Sequence, residues 1–131
     1  MMDFAKDTIF KLHKVEAERI NKNVAAILIA PEHVIGVYKT IRDEVIFTDH
    51  RIIAVDVQDI TGKRQEITTI PYSKIQYFGI QTPGMVELIP DAELTLYFAD
   101  GHHLIFEFRG ANDVLEIGRE ISEFMLLGRT L

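Results

Sequence analysis

Residues 93 to 108, ELTLYFADGHHLIFEF, hold two alternations joined by a turn. Leu94, Leu96 and Phe98 interleave with Glu93, Thr95 and Tyr97, and Leu104, Phe106 and Phe108 interleave with His103, Ile105 and Glu107. A period of two puts each apolar triplet on one face of an extended chain. Asp100-Gly101 between alternating runs is the strongest short signal for a hairpin, because glycine enters the left-handed backbone region that a tight turn needs. The segment reads as a β-hairpin with one face in a core.

The same period continues upstream to His33, with turn chemistry at short intervals. Strands are predicted over residues 33–40, 44–48, 51–57, 64–70, 75–81, 93–99 and 102–108, divided by Ile41-Arg42-Asp43, Asp49-His50, Ile60-Thr61-Gly62-Lys63, Tyr72-Ser73-Lys74 and Pro83-Gly84. Beyond Gly110 the period becomes 3.6. Val114, Ile117, Ile121 and Phe124 share a helical face, Glu116, Arg119, Glu120 and Glu123 lie largely opposite, and Gly128 ends the helix. Asp113 and Glu116 have capping-box spacing. At the other end, residues 3–22 place Ile9, Leu12 and Ile20 with Ala5 and Glu16 at helical spacing, which predicts an amphipathic helix stopped by Asn21 and Asn23. Val24 to Ala30 is a short buried element, helical or extended, broken by Pro31. Seven short antiparallel strands cannot stay flat without exposing an apolar face. The expected fold is mainly β: a strongly bent antiparallel barrel capped by the C-terminal helix, with an additional N-terminal helix. The expected division is a helical segment over 1–30 and the barrel domain over 31–131.

The chain has 131 residues, 47% of them hydrophobic, and no cysteine. That length makes one domain with a core of its own, and the absence of thiols excludes disulfide scaffolds, thiol catalysis, iron–sulfur clusters and thiolate zinc sites. The longest strongly apolar run, Val24 to Ala30, is far short of the ~20 residues that cross a bilayer. No basic stretch leads into an apolar one as in a signal peptide, so a soluble cytoplasmic domain is expected. Net charge is −6, divided as +1 over residues 1–40, −5 over 41–110 and −2 over 111–131. An acidic sheet disfavours nucleic acid and anionic membranes, both of which are held through clustered Lys and Arg.

In the run DEVIFTDHRII, residues 43–53, followed by Asp56, the turn Ile60-Thr61-Gly62-Lys63 and Ile70-Pro71-Tyr72-Ser73-Lys74-Ile75, the chain resembles the bacterial pleckstrin-homology-like domains, long catalogued as a domain of unknown function. The resemblance continues through Ala92-Glu93-Leu94 and the helix after Phe108, covering residues 31 to 127 in the right order. It implies a PH-like seven-stranded barrel with one open end plugged by residues 112 to 127. It also implies a cyclic homo-oligomer, often a pentamer-like ring, no catalytic activity, and a protein–protein interaction role in an unknown pathway.

Site candidates are few, and each has an ordinary alternative. Pleckstrin-homology domains that bind phosphoinositides converge cations at the first hairpin. Here that place holds Lys39 and Arg42, but Asp43 and Glu44 follow at once and repel the same ligand. A lipid-headgroup or small anionic ligand site at the barrel mouth, near Lys39, Arg42 and His50, is the alternative to a solvated turn. His13, His33, His50, His102 and His103 are scattered, adjacent strand histidines point to opposite faces, and no metal site is expected. Gly79, Gly84 and Gly101 stand apart and make no phosphate loop. Tyr72-Ser73-Lys74 follows a proline in a bend, which suits a packing tyrosine and a solvated lysine better than catalysis. No cofactor and no enzymatic activity are expected. Asp49, His50 and Arg51 form a hairpin tip that can present polar groups for recognition. Met85, Val86, Leu88 and Ile89, with Tyr97 and Ile105 on the polar faces of their strands, are the candidate oligomer contacts. Expected partners are copies of the chain and an unidentified protein.

Overall fold

The computed structural model of the chain describes residues 8–84 and 91–128. Eight strands are present among them: β1 (Thr8–Val15), β2 (Val34–Lys39), β3 (Glu44–Thr48), β4 (Arg51–Val57), β5 (Gln65–Pro71), β6 (Ile75–Gln81), β7 (Asp91–Phe98) and β8 (His103–Arg109). A short helix, α1 (Lys22–Ile27), lies between β1 and β2, and α2 (Ala111–Leu127) closes the described chain. The strands make one curled sheet in the order β5-β4-β3-β2-β1-β8-β7-β6. β2 to β8 are the seven strands read from the sequence. Gly101, at φ 92°, turns the β7–β8 hairpin, and Gly128, at φ 67°, ends α2 by donating its N–H to the Phe124 carbonyl.

β1 is the eighth strand, and over residues 8–15 it corrects the helix expected at 3–22, whose residues 3–7 lie outside the described residues. Its first half pairs in parallel with β8 and its second half antiparallel with β2, so it joins the two halves of the sheet. A bulge sits at the crossing, where Ile9 is opposite Phe106 and Leu12 opposite Phe108, with Lys11 at φ 57°. Two residues on β1, Phe10 and Lys11, thus oppose the single Glu107 on β8, and the i, i+3 spacing that imitates a helix is the signature of the bulge. Asn21 is likewise an N-cap where a stop was expected. Its side-chain oxygen accepts the N–H groups of Asn23 and Val24 at 2.8 and 3.3 Å and starts α1. α2 begins at Ala111 behind Gly110, with no side-chain cap, so the expected capping box is not its start signal.

The core has two layers. Leu12, Tyr38, Val45, Phe47, Ile52, Leu94, Leu96, Leu104, Phe106 and Phe108 fill the inside of the curl, closed by Val114, Ile117 and Ile121 of α2. Val37, Ile46, Ile53 and Val55 point the other way and are covered by Val15, Ile20, Val24 and Leu28. β3 and β4 are therefore buried on both faces, which is why they read as continuous apolar runs, whereas β7 and β8 keep a solvated outer face and alternate. Between β5 and β6, the two ends of the sheet order, a 3-10 turn (Tyr72–Lys74) carries Tyr72 inward against α2.

Candidate functional site

The turn between β3 and β4 gathers the buried polar residues. Thr48 is buried at the end of β3; its hydroxyl accepts the N–H groups of His50 and Arg51, each at 3.0 Å, and donates to Glu32 Oε2 at 2.6 Å. Arg51 grips the same carboxylate in two places, Nε to Oε2 at 2.9 Å and Nη2 to Oε1 at 3.0 Å. Its guanidinium also reaches the Ile27 carbonyl and the Thr69 hydroxyl, tying the segment after α1 to β4 and β5. Burial pushes the Glu32 carboxyl up, but the Arg51 and Thr48 hydrogen bonds, the Ile29 N–H and the guanidinium charge outweigh it and hold the pKa at about 2.

Asp49 is only 5% exposed. Its Oδ1 accepts the His33 N–H at 2.9 Å and lies 2.6 Å from His50 Nδ1, while its Oδ2 is buried with no hydrogen-bond partner. Tyr72 packs beside it, donating its hydroxyl to the Thr48 carbonyl at 2.6 Å, with its ring 5.6 Å from that of Phe124. Burial, then the charges of Glu120, Asp49 and Glu32, drive the Tyr72 phenol far above its ordinary range. Glu120 on α2 is also raised, by burial first and then by the charges of Glu123, Asp49 and Glu116, with Arg119 opposing. These groups spend themselves mainly on one another, an arrangement that locks a turn. Among the described residues no group of three or more His, Asp or Glu is placed to hold a metal ion.

Asp49, His50 and Arg51 lie in and beside the β3–β4 turn; Asp49 and Arg51 carry fold duties, and His50 is the partly exposed member. Lys39 and Arg42 do not converge. Lys39 lies 3.3 Å from Glu44, whose other oxygen accepts from Asn21. Arg42 donates across to the Val57 and Asp59 carbonyls at 3.1 and 3.0 Å. Tyr97 and Ile105 are half-buried on the outer face of β7 and β8, and Tyr97 stacks on the exposed Tyr77 of β6 with ring centres 4.3 Å apart. Met85, Val86, Leu88 and Ile89 lie outside the described residues. Sequence reading missed Glu32 and Glu120: each is one acid among 20, and nothing local marks the one that will be buried.

A sheet of this order with a C-terminal helix over one half narrows the choice of family. The family model of the bacterial PH domain matches residues 3–125. The chain belongs to that family. This bacterial PH domain is similar to a DUF1696 family protein with a pleckstrin-homology domain from Shewanella loihica PV-4, at 30% identity and a TM-score of 0.72 over 88% of this chain and 97% of that one. It is also similar to a pleckstrin homology domain from Shewanella amazonensis SB2B, at 35% identity and a TM-score of 0.58 over 79% and 93% of the two chains. The uncharacterized protein YjqA of Bacillus subtilis (strain 168) is 35% identical over 98 residues, 75% of this chain and 77% of that one. Among the described residues no helix is long and apolar enough to cross a membrane.

Proposed function

We propose that this bacterial PH domain is a non-catalytic cytoplasmic module that assembles with copies of itself into a closed ring and offers to a protein partner a repeated polar surface at the β3–β4 turn, where His50 is partly exposed and Asp49 and Arg51 hold the turn in shape. The observation that carries this reading is the engagement of Lys39 and Arg42 within the chain. A headgroup site needs several free cations on one phosphate, and here one cation is neutralised and the other fastens two hairpins together. Self-association has its own support. β5 and β6 end the sheet order, and an open strand edge is a template for another chain. Repeated weak sites on one ring then raise apparent affinity without any deep pocket.

Light scattering after size exclusion gives the first test: a 15.0 kDa species at micromolar concentration removes the ring. Pull-downs with the native chain and with an obligately monomeric variant test avidity, and capture that is unchanged in the monomer refutes it. A second reading, a small anionic ligand or headgroup at Arg42, draws on an open cavity of about 500 Å³ lined by Ile41, Arg42, Asp59, Ile60 and Thr61. Flotation with acidic liposomes decides it. Binding lost on Lys39→Glu with Arg42→Glu supports the headgroup site, and binding that survives both substitutions sinks it.

A further inference from the structure

Of the eight glycines, Gly101 alone follows an aspartate or an asparagine. That pairing has a chemistry of its own. The Gly101 amide nitrogen can attack Asp100 Cγ and lose its proton, closing a five-membered succinimide as one carboxyl oxygen leaves in a molecule of water. Water then opens the ring at either carbonyl. One opening restores aspartate; the other leaves the chain running through the side-chain carbon as isoaspartate, with the α-carboxylate free. One water is released and one is taken up, so the sum is an isomerisation that needs no other reactant. A side chain on the following residue hinders the attack, and here nothing stands within 4 Å of the place where a Cβ of Gly101 would lie. The Asp100 side chain is 66% exposed, so water reaches the ring.

The folded hairpin opposes both halves of the first step. The Gly101 N–H is spent on the Phe98 carbonyl at 3.1 Å, and the Phe98 N–H on the His102 carbonyl at 2.9 Å, so the nucleophile sits in a closed turn. His102 engages both carboxylate oxygens of Asp100: its backbone N–H donates to Oδ1 at 3.0 Å, and its Nδ1 lies 2.8 Å from Oδ2. The His102 side-chain bond, then its backbone bond, hold the Asp100 carboxyl below the usual carboxylate range. An ionised carboxylate is a poor electrophile, and its oxygen departs as water only after taking up a proton.

We propose that Asp100-Gly101, at the tip of the β7–β8 hairpin, is the site at which this chain forms isoaspartate, and that the His102 side chain is the clamp that sets the rate. The inference stands apart from the ring and from the protein partner. Each conversion adds a methylene to the backbone of a tight turn, which loosens the Phe98–His102 closure and the adjoining Tyr97–His103 register. It also leaves a free α-carboxylate on an exposed tip, the group that an isoaspartyl methyltransferase esterifies. His102 acts through Asp100 and not on any substrate, so it is a positioning residue.

The test ages the full chain in warm neutral buffer and counts isoaspartate by methyl transfer from labelled S-adenosylmethionine with an isoaspartyl methyltransferase. Fragmentation of the digested peptides in a mass spectrometer gives the position. Native chain, His102→Ala and Asp100→Glu are each aged folded and in concentrated urea. Most of the isoaspartate is expected at Asp100, and none there in Asp100→Glu, whose six-membered ring closes far more slowly. Folded His102→Ala should isomerise about tenfold faster than the folded native chain, the effect of losing one hydrogen bond to a charged group. In urea, where the clamp is gone from both, the two rates should agree. His102→Ala should melt close to native, since both partners are more than half exposed. On acidification the rate should climb at a lower pH in the native chain than in His102→Ala, because only the native carboxyl is held down. Isoaspartate formed mainly at another aspartate overturns the site, and so does a native chain that isomerises as fast folded as in urea. Equal folded rates for native and His102→Ala overturn the clamp. So does an acceleration without the displaced pH profile, which would be hairpin opening alone.

Discussion

Replacing Arg51 by Met should leave Glu32 as a buried carboxylate without its counter-charge, and the effect should depend on pH in a way no packing defect would. In the native chain Glu32 falls from an ordinary 4.5 to about 2, which corresponds to about 3 kcal/mol of stability linked to this one group. The folded-state pKa is depressed, so the contribution is fully present above pH 4.5 and is lost as pH falls toward 2. Without Arg51, burial is the largest single influence left and is opposed only by the Thr48 and Ile29 hydrogen bonds, so the carboxyl rises above its native value and protonation on acidification relieves strain. Arg51→Met should therefore cost about 3–5 kcal/mol at pH 7, out of the roughly 5–15 kcal/mol that holds a domain together. Its stability curve should converge on the native one between pH 5 and 2. Glu32→Gln should be insensitive at this site over the same range. Urea denaturation followed by circular dichroism from pH 7 to 2.5 measures all three chains. A constant gap between native and Arg51→Met across that range would refute the linkage and reduce Arg51 to a packing residue.

Tyr72→Phe removes the buried 2.6 Å bond to the Thr48 carbonyl and should cost about 1–3 kcal/mol in urea melts; because folding holds the phenol protonated, native stability should fall as pH rises above about 10, and this phenylalanine variant should lose that part of the alkaline sensitivity. Ile53→Ala, in the outer layer, should cost about 2–5 kcal/mol, as much as Leu96→Ala inside the curl, and should expose residues 16–31 to protease. A chain beginning at residue 31 should fail to give a cooperative melt, since it lacks the strand between β2 and β8. Gly118→Ala should be nearly neutral: its Cβ would stand 2.5 Å from Ile80 Cδ1, a side-chain tip that can rotate, while alanine contributes about 1 kcal/mol of helix propensity; a bulkier Gly118→Leu should lift α2 from β6 and lower the melting temperature clearly.

The legible parts of the fold are those whose pattern is local. β7 and β8 alternate because one face is wet, and Asp100-Gly101 names their turn without help from the rest of the chain. Val45-Ile46-Phe47 and Ile52-Ile53-Ala54-Val55 do not alternate, which signals that β3 and β4 are covered on both sides. The cover itself is hard to see, since Val15, Ile20, Val24 and Leu28 follow neither period as the chain passes from strand to turn to helix. β1 hides for a related reason: its bulge gives a strand the spacing of a helix.

By itself the sequence determined seven strands, their turns and the closing helix, because period and turn chemistry are set by residues a few places apart. It also determined that the excess of acid lies over residues 41–110. Only the tertiary structure decided which charges are free. Lys39 and Arg42 look available until Glu44 and the Val57 and Asp59 carbonyls are placed beside them. Glu32 and Arg51, 19 residues apart, become a buried pair, and Asp49 becomes a buried acceptor whose charge is felt by Glu120, more than sixty residues away. The physical reason is that a charge interacts through distance and dielectric, and both are properties of the folded arrangement.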